Sequence, residues 1–555
     1  MKVFSIPMAE ELIPMVHVSL RFILVAMLPV LMQAPQAVAG DSERGAKIAR
    51  AGTATGVPPC MSCHGPRGMG QGPAGYPRIA GLDAGYIARQ LLAFRDGTRE
   101  NPVMDALIKP LTQQNIDDLA SYYAALPLSE RQVPAPSPEQ TEVASVLARF
   151  GDWAGRALPG CGQCHGPDGN GIGAGFPGIA GQHANYLKAQ LLAWRTGKRS
   201  NDPSGLMASV AQRLTEAEID ALAAYYDAQP AGSPVATRTV PATPPEASPE
   251  APQPDRGTVP TSQTAFQPPP RTALPSGPLG EAVRLGQAIF VATNTHPLSA
   301  PFVGNRLACQ HCHLDAGRLA NSGPLWAAWV AYPEYKPKNH RVDTFAKRAQ
   351  GCFVYSLNAQ ASAAGGAPAV DSRVIDALVA YSYWLATGAP TGNKQMAGRG
   401  YPSVELPAQA QGAGFDPARG ARVYQQQCAL CHGEQGEGVS DASGRTLFPP
   451  LWGAHAYNWG AGMHRIDIAA AFIKHNMPLG QPESLSDQQA WDVAAFINRH
   501  ERPQDPRFDG DLAVTTARFH TTPFDEYGKV RAADGHVLGS QPASSTPLSP
   551  TGEQD

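Results

Sequence analysis

Residues 60–64 read Cys60-Met61-Ser62-Cys63-His64. The pattern returns three times, as Cys161-Gly162-Gln163-Cys164-His165, Cys309-Gln310-His311-Cys312-His313 and Cys428-Ala429-Leu430-Cys431-His432. Two cysteines held two residues apart can add to the vinyl groups of a haem as thioethers, and the next histidine then sits under the iron. A single copy would leave a redox C-x-x-C or half of a zinc site open. Four copies, each followed at once by histidine, favour four covalently bound haem c groups with His64, His165, His313 and His432 as proximal ligands. These motifs use eight of the nine cysteines, and Cys352 is left over.

A haem iron takes its sixth ligand from Met, His or Cys. Met104 follows His64 by 40 residues, Met207 follows His165 by 42, and Met477 follows His432 by 45. Met463 is a rival to Met477 but lies only 31 residues on. After His313 the first methionine is Met396, 83 residues away, whereas Cys352 stands at 39. The odd cysteine therefore occupies the slot that methionine fills elsewhere and is the expected ligand of the third haem. His340 is the alternative, and a small buried thiol packed as a hydrophobe is the non-functional reading.

The chain is expected to be mainly α, with a signal peptide over 1–39, units at 40–130 and 142–230, a Pro-rich linker at 231–275, units at 276–400 and 410–505, and a tail at 506–555. The first two units are an internal repeat: Ile87, Leu91 and Phe94 match Leu187, Leu191 and Trp194 at helical spacing. Thr112 opens a closing helix in one, and Thr215 with Glu218 forms a capping box in the other. Tyr122-Tyr123 and Tyr225-Tyr226 end these helices and are read as core packing. The linker has twelve prolines in 45 residues and reads as an extended, semi-stiff spacer. Short helices at 286–290 and 420–424 precede the later motifs, and 371–385 and 486–498 read as closing helices. The tail reads as polar and, from Gly539 on, disordered.

Arg21, the apolar run 22–32 and Ala37-Val38-Ala39 make a secretory signal cleaved after Ala39, so a periplasmic location is expected. The run is too short to span a bilayer. Glu10 and Glu11 fit a signal poorly, which leaves Met15 as an alternative start. No further apolar run is long enough for a span. A formal charge of −3 gives no whole-chain sign of nucleic-acid binding.

Helices around a covalent haem, joined by long Gly/Pro loops, resemble class-I cytochrome c units, here in two dihaem halves. Residues 41–230 resemble dihaem electron carriers of the cytochrome c4 class. Residues 276–505 resemble thiosulfate dehydrogenases of the TsdA family, through CQHCHLDAG (309–317), YPEY (332–335), RVDTFAKRAQGCFVYSLNA (341–359) and HNMPLG (475–480). The resemblance implies a catalytic haem held by His313 and Cys352, a relay haem held by His432 and Met477, and a c4-like acceptor (TsdB) fused in front. It implies that Arg348 and Ser356 line the substrate pocket. Some members carry a lysine directly before the second methionine; here Asn476 stands there, and the nearest lysine is Lys474. The implied reaction joins two thiosulfates into tetrathionate and sends two electrons to a small cytochrome, a reaction centre or a terminal oxidase.

The residues are compatible with that chemistry. Between Arg306 and Arg348 there are seven basic residues, Arg341 among them, against three acids, and guanidinium forks suit sulfonate oxygens. A thiolate can attack or accept sulfur, which a thioether cannot, so Cys352 is expected to be both ligand and reactant. Three readings stay open beside it: a four-haem electron carrier without a substrate, a SoxA-like cysteine S-transferase, and tetrathionate reduction by the same site.

Overall fold

Each motif lies between an opening and a closing helix that cross. In the computed structural model, which describes residues 40–235, 265–336, 341–407 and 414–543 apart from positions 130, 132, 134, 135, 203, 394 and 533, the pairs are Ser42–Ala51 with Gln113–Ala125, Pro138–Arg149 with Glu216–Ala228, Gly277–Val291 with Arg373–Leu385, and Pro417–Gln427 with Asp487–Asn498. The expected mainly-α architecture of four cytochrome c-like units is what is found. Two small antiparallel ribbons interrupt it, Glu334–Lys336 with Arg341–Asp343 and Val439–Ser440 with Thr446–Phe448.

Local signals start the helices. Thr112 and Asn115, Thr215 and Glu218, and Ser486 and Gln489 form reciprocal capping boxes on three closing helices, and Ser372 caps the fourth. The tyrosine pairs meet edge to face at 5.0 and 5.2 Å inside the cores of units one and two.

The crossings themselves depend on glycine. A Cβ on Gly45 would lie 2.0 Å from the Asp118 carbonyl oxygen, one on Gly286 2.0 Å from that of Ala377, and one on Gly420 2.0 Å from that of Asp492. One turn on, Tyr122, Tyr381 and Phe496 pack beside the same glycines. Units one and four reinforce the contact through a shared Asp-x-x-Arg-Gly sequence. Arg44 Nε donates to Asp118 at 2.8 Å and Arg419 Nε to Asp492 at 2.7 Å, with the Asp41 and Asp416 amides on the same carboxylates. Unit two has no glycine in its opening helix and packs Ala144 and Ala148 there, tied instead by Arg156 to Glu218 at 2.8 Å.

The units adjoin in a definite order. Units one and two meet through the buried Arg99 and Arg199. Arg99 donates to Gln90, Tyr186 and Gln190, and Arg199 to Gln190, Gln90 and Tyr86, at 2.6–3.3 Å. Units two and four meet at Phe176 and Phe448, 5.3 Å apart, in an apolar cluster that also takes in Cys164 and Cys431. Units three and four share Asn305 Nδ2 to Ala456 O at 3.1 Å and Asn476 Nδ2 to Asn321 O at 3.1 Å.

The stretch read as an extended, semi-stiff linker is packed at both described ends. Val235 bridges to Ile172, Phe266 lies against Trp326 at 5.4 Å, Arg318 donates to Pro268 and Pro269 carbonyls, and Trp384 Nε1 to Ala273 O. Proline-rich chain offers unpaired carbonyls, and two large side chains of unit three use them. The tail is also part of the fold. Helix Leu512–Phe519 leads to Tyr527 and Leu538, which bury against Trp459. Its polar residues pair with one another inside the protein. The signal segment 1–39, residues 236–264 of the linker, His340 and residues 544–555 lie outside the described residues.

Gly286→Ala should cost about 1–3 kcal/mol by overpacking the crossing, read as a lower denaturation midpoint, whereas Gly366→Ala, which meets nothing within 4 Å, should leave it unchanged. Glu218 gives a pH signature. Burial opposes its charge, but the Arg156 guanidinium outweighs that and, with Thr215, pulls its carboxyl from 4.5 to about 2. A lowered folded-state value means stability that is full above the unfolded value and lost as pH falls through the window from 4.5 towards 2. The stability gap between the protein and Glu218→Gln should therefore close across that window in acid-unfolding curves.

Candidate active site

Four histidines share one arrangement. His64 Nδ1 donates to Pro77 O at 3.0 Å, His165 Nδ1 to Pro177 O at 2.7 Å, His313 Nδ1 to Gly323 O at 2.6 Å, and His432 Nδ1 to Pro449 O at 2.8 Å. A ring nitrogen facing a carbonyl must carry the hydrogen, so Nε2 keeps its lone pair for a metal. Burial pushes all four imidazoles down, His313 to about 4, so they are neutral at pH 7. None of the nine cysteines is in a disulfide. This donor set fits four covalently attached haem c groups at the cysteine pairs 60/63, 161/164, 309/312 and 428/431.

The structure brings the sequence-selected methionines towards their motifs. Cys161, Cys164, His165 and Met207 line one cavity with Trp194 and Tyr226, enclosing about 1490 Å³ of space, part of it open to solvent. Met104, on helix Pro102–Ile108, packs in the cluster that holds Cys60. Met477, at the end of helix Ile466–Asn476, packs in the cluster that holds Cys428, and so does its rival Met463. Lys474 is turned to other partners: its Nζ donates to Leu485 O at 2.7 Å and lies 3.3 Å from Asp487 and 3.5 Å from Glu483.

Cys352 lies on helix Phe345–Tyr355, which starts at a Thr344 cap. Arg348, one turn earlier on the same face, donates from Nη1 to Cys352 Sγ at 3.2 Å. The charge of a Cys352 thiolate pushes the Arg348 guanidinium up, against burial. Arg348 keeps exposed area on the surface of this helix. Cys352 also acts on the third motif: after burial, its charge contributes to raising both Cys309 and Cys312 to about 12. Ser356 is the C-cap of this helix. Its amide donates to Cys352 O at 2.9 Å, and its carbonyl accepts from Asn305 Nδ2 at 2.8 Å.

The basic stretch read from the sequence disperses. Arg341 is exposed and pairs with the buried Asp343 at 2.7 Å. Arg318 holds the 268–269 carbonyls, and Lys347 points outward. Lys338 lies outside the described residues. Arg348 is thus the basic residue that meets Cys352. Two further residues had no sequence signal. Gly323 has φ +60°, and a Cβ there would sit 3.0 Å from His313 Nδ1, so glycine alone presents its carbonyl without touching the ring. Tyr401 donates its hydroxyl to Cys312 O at 3.2 Å and sets its ring edge-on to Phe472 of unit four.

Comparison with known proteins agrees with this architecture. Residues 154–227 match the cytochrome c family, and 415–497 match the family described as cytochrome C oxidase, cbb3-type, subunit III. The thiosulfate dehydrogenase of Stutzerimonas stutzeri is 51% identical over 279 residues, 50% of this chain and 86% of the relative. A thiosulfate dehydrogenase electron acceptor from Thiomonas intermedia is 46% identical over 171 residues, 31% of this chain and 78% of that protein. The solved structure of the thiosulfate dehydrogenase TsdBA from Marichromatium purpuratum superposes with a TM-score of 0.80 at 49% identity, covering 90% of this chain and all of the other. With two dihaem halves, a lone cysteine against the third motif and these matches across both halves, the chain belongs to the thiosulfate dehydrogenase family.

Proposed function

We propose that the chain oxidises two thiosulfates to tetrathionate at Cys352, with Arg348 as the residue that receives the anion. The observation that carries this is the 3.2 Å contact between Arg348 Nη1 and Cys352 Sγ beside the third motif. A guanidinium there stabilises the thiolate and offers its remaining N–H groups to sulfonate oxygens. In the first half-reaction the Cys352 thiolate and the sulfane sulfur of thiosulfate form an S–S bond, giving Cys–S–S–SO₃⁻ and releasing two electrons. In the second, the sulfane sulfur of another thiosulfate attacks the sulfur that bears the sulfonate. The bond to Cys352 breaks, tetrathionate leaves, and the thiolate returns; charge balances in both steps.

The ligand sets His64/Met104, His165/Met207, His313/Cys352 and His432/Met477 are supported by spacing and by the clusters that pair each methionine with its motif. The haems, when bound, supply the one-electron acceptors, and their sites adjoin in the order three, four, two, one. Ser356 belongs to the pocket by family position; Arg341 enters only as one of the basic residues near the motif, and its pairing with Asp343 gives it the weaker claim. An electron-accepting cytochrome or oxidase outside this chain completes the turnover. A periplasmic location is consistent with covalent haem attachment, and among the described residues no helix is long and apolar enough to cross a membrane.

The test is anaerobic mixing of the oxidised protein with thiosulfate while tetrathionate and haem reduction are followed. Cys352→Ala should keep four covalent haems and lose both signals; full turnover in that variant would sink the proposal. Arg348→Gln removes a charge-assisted bond worth about 1.5–3 kcal/mol, so kcat/KM for thiosulfate should fall roughly 10- to 100-fold, with partial recovery in Arg348→Lys.

A further inference from the structure

The C-terminal segment brings a second set of ligating groups together, away from the four motifs. His464 lies just ahead of helix Ile466–Asn476 in unit four; His520 and Asp525 come from the segment after helix Leu512–Phe519. All three are buried, at 5%, 0% and 3% exposure. Asp525 Oδ2 lies 2.8 Å from His464 Nε2 and 2.8 Å from His520 Nδ1, and the three atoms lie within 4.8 Å of one another. Among the described residues this is the one such convergence.

The outward-facing atoms are held too. His464 Nδ1 donates to Ala461 O. His520 Nε2 donates to Asp505 Oδ2 at 2.9 Å, and Arg507 holds Asp505 at 2.6 and 2.9 Å. Asp525 Oδ1 accepts from the Tyr527 amide at 3.2 Å, and the His520 ring stacks on Tyr527 at 4.1 Å. A carbonyl on one imidazole and a carboxylate on the other, each on the nitrogen pointing away from the shared centre, is the outer shell that metal-ligating histidines carry.

Counting hydrogens leads to the same place. Four ring nitrogens face four acceptor contacts: Ala461 O, Asp505 Oδ2 and Asp525 Oδ2 twice. Two neutral imidazoles supply two N–H groups, and both are spent on the outer contacts. His464 Nε2 and His520 Nδ1 then point bare lone pairs at a carboxylate oxygen. A divalent cation at the centre would take both lone pairs and the Asp525 oxygen at once, whereas ring protons there would crowd two imidazoles whose centroids are 5.1 Å apart; Asp505 has Arg507 as its own counter-charge.

We propose that His464 Nε2, His520 Nδ1 and Asp525 Oδ2 bind a divalent metal of the zinc class, which ties the C-terminal segment to unit four. Two imidazoles and one carboxylate are a borderline N/O set that suits zinc, with a fourth position for water or the second Asp525 oxygen. Ligand atoms about 2.0–2.1 Å from zinc stand roughly 3.3 Å apart, so binding opens the 2.8 Å contacts by about half an ångström. The ligands come from two regions about sixty residues apart in sequence, so the metal closes a loop in the chain, as other cross-links do.

The holoprotein, dialysed against EDTA, incubated with zinc chloride and gel-filtered, should retain one zinc per four irons by elemental analysis, the haem irons being covalently held. His464→Gln and Asp525→Asn, with all haems present, should retain less than a tenth of that. Tryptic cleavage at Lys529 and Arg531 should be at least several-fold slower with zinc than after EDTA. No zinc retained by the unaltered protein would overturn the proposal, whatever the variants do, and would assign the cluster to a doubly protonated hydrogen-bond network. Equal retention by both variants would overturn it as well.

Discussion

The closeness of the helix crossing is the constraint on which the rest hangs. Where Gly45, Gly286 and Gly420 lie flush on a carbonyl of the closing helix, there is no room for a methyl group. That contact fixes where the opening helix ends, and the motif follows within a turn or two in unit four. The loop after the motif must then return a carbonyl to the histidine's Nδ1, and it does so in all four units. Backbone geometry thus orients each imidazole, and side chains supply what differs between units: a methionine in three and Cys352 with Arg348 in one.

Unit three keeps the general plan of its siblings. Its closing helix and histidine–carbonyl bond are those of the others, and it shares its crossing glycine with units one and four. Each unit has a helix between its motif and its closing helix, and in unit three that helix, Phe345 to Tyr355, places a cysteine and an arginine four residues apart on one face. A cysteine is thereby set beside the third motif on a scaffold shared with the other units.

The parts of this legible in the sequence are those written in neighbouring residues. The four motifs, the capping boxes at Thr215 and Ser486, and the repeat of Ile87/Leu91/Phe94 in Leu187/Leu191/Trp194 are local patterns. Cys352 stood out because its distance from His313 could be compared with three others. What stayed hidden depends on residues far apart in the chain. Nothing near Asp118 or Asp492 announces that Arg44 and Arg419 will meet them. Gly323 is one glycine among 56 until its carbonyl is seen on His313. The basic stretch from Arg306 to Arg348 reads as one patch, yet its arginines separate to Asp343, to the 268–269 carbonyls and to Cys352. The C-terminal segment reads as polar, and polarity alone does not tell that its histidines and aspartates satisfy one another in the interior.

The junction of Phe176 with Phe448 bears on insulation. It covers the side of unit two that faces unit four and leaves unit one at the far end, where among the described residues no hydrogen bond or ring contact reaches the catalytic half. In a free dihaem carrier either end could meet either partner. Here the face of unit two that carries Phe176 is covered within the chain itself, so the two ends of the carrier half are not equivalent.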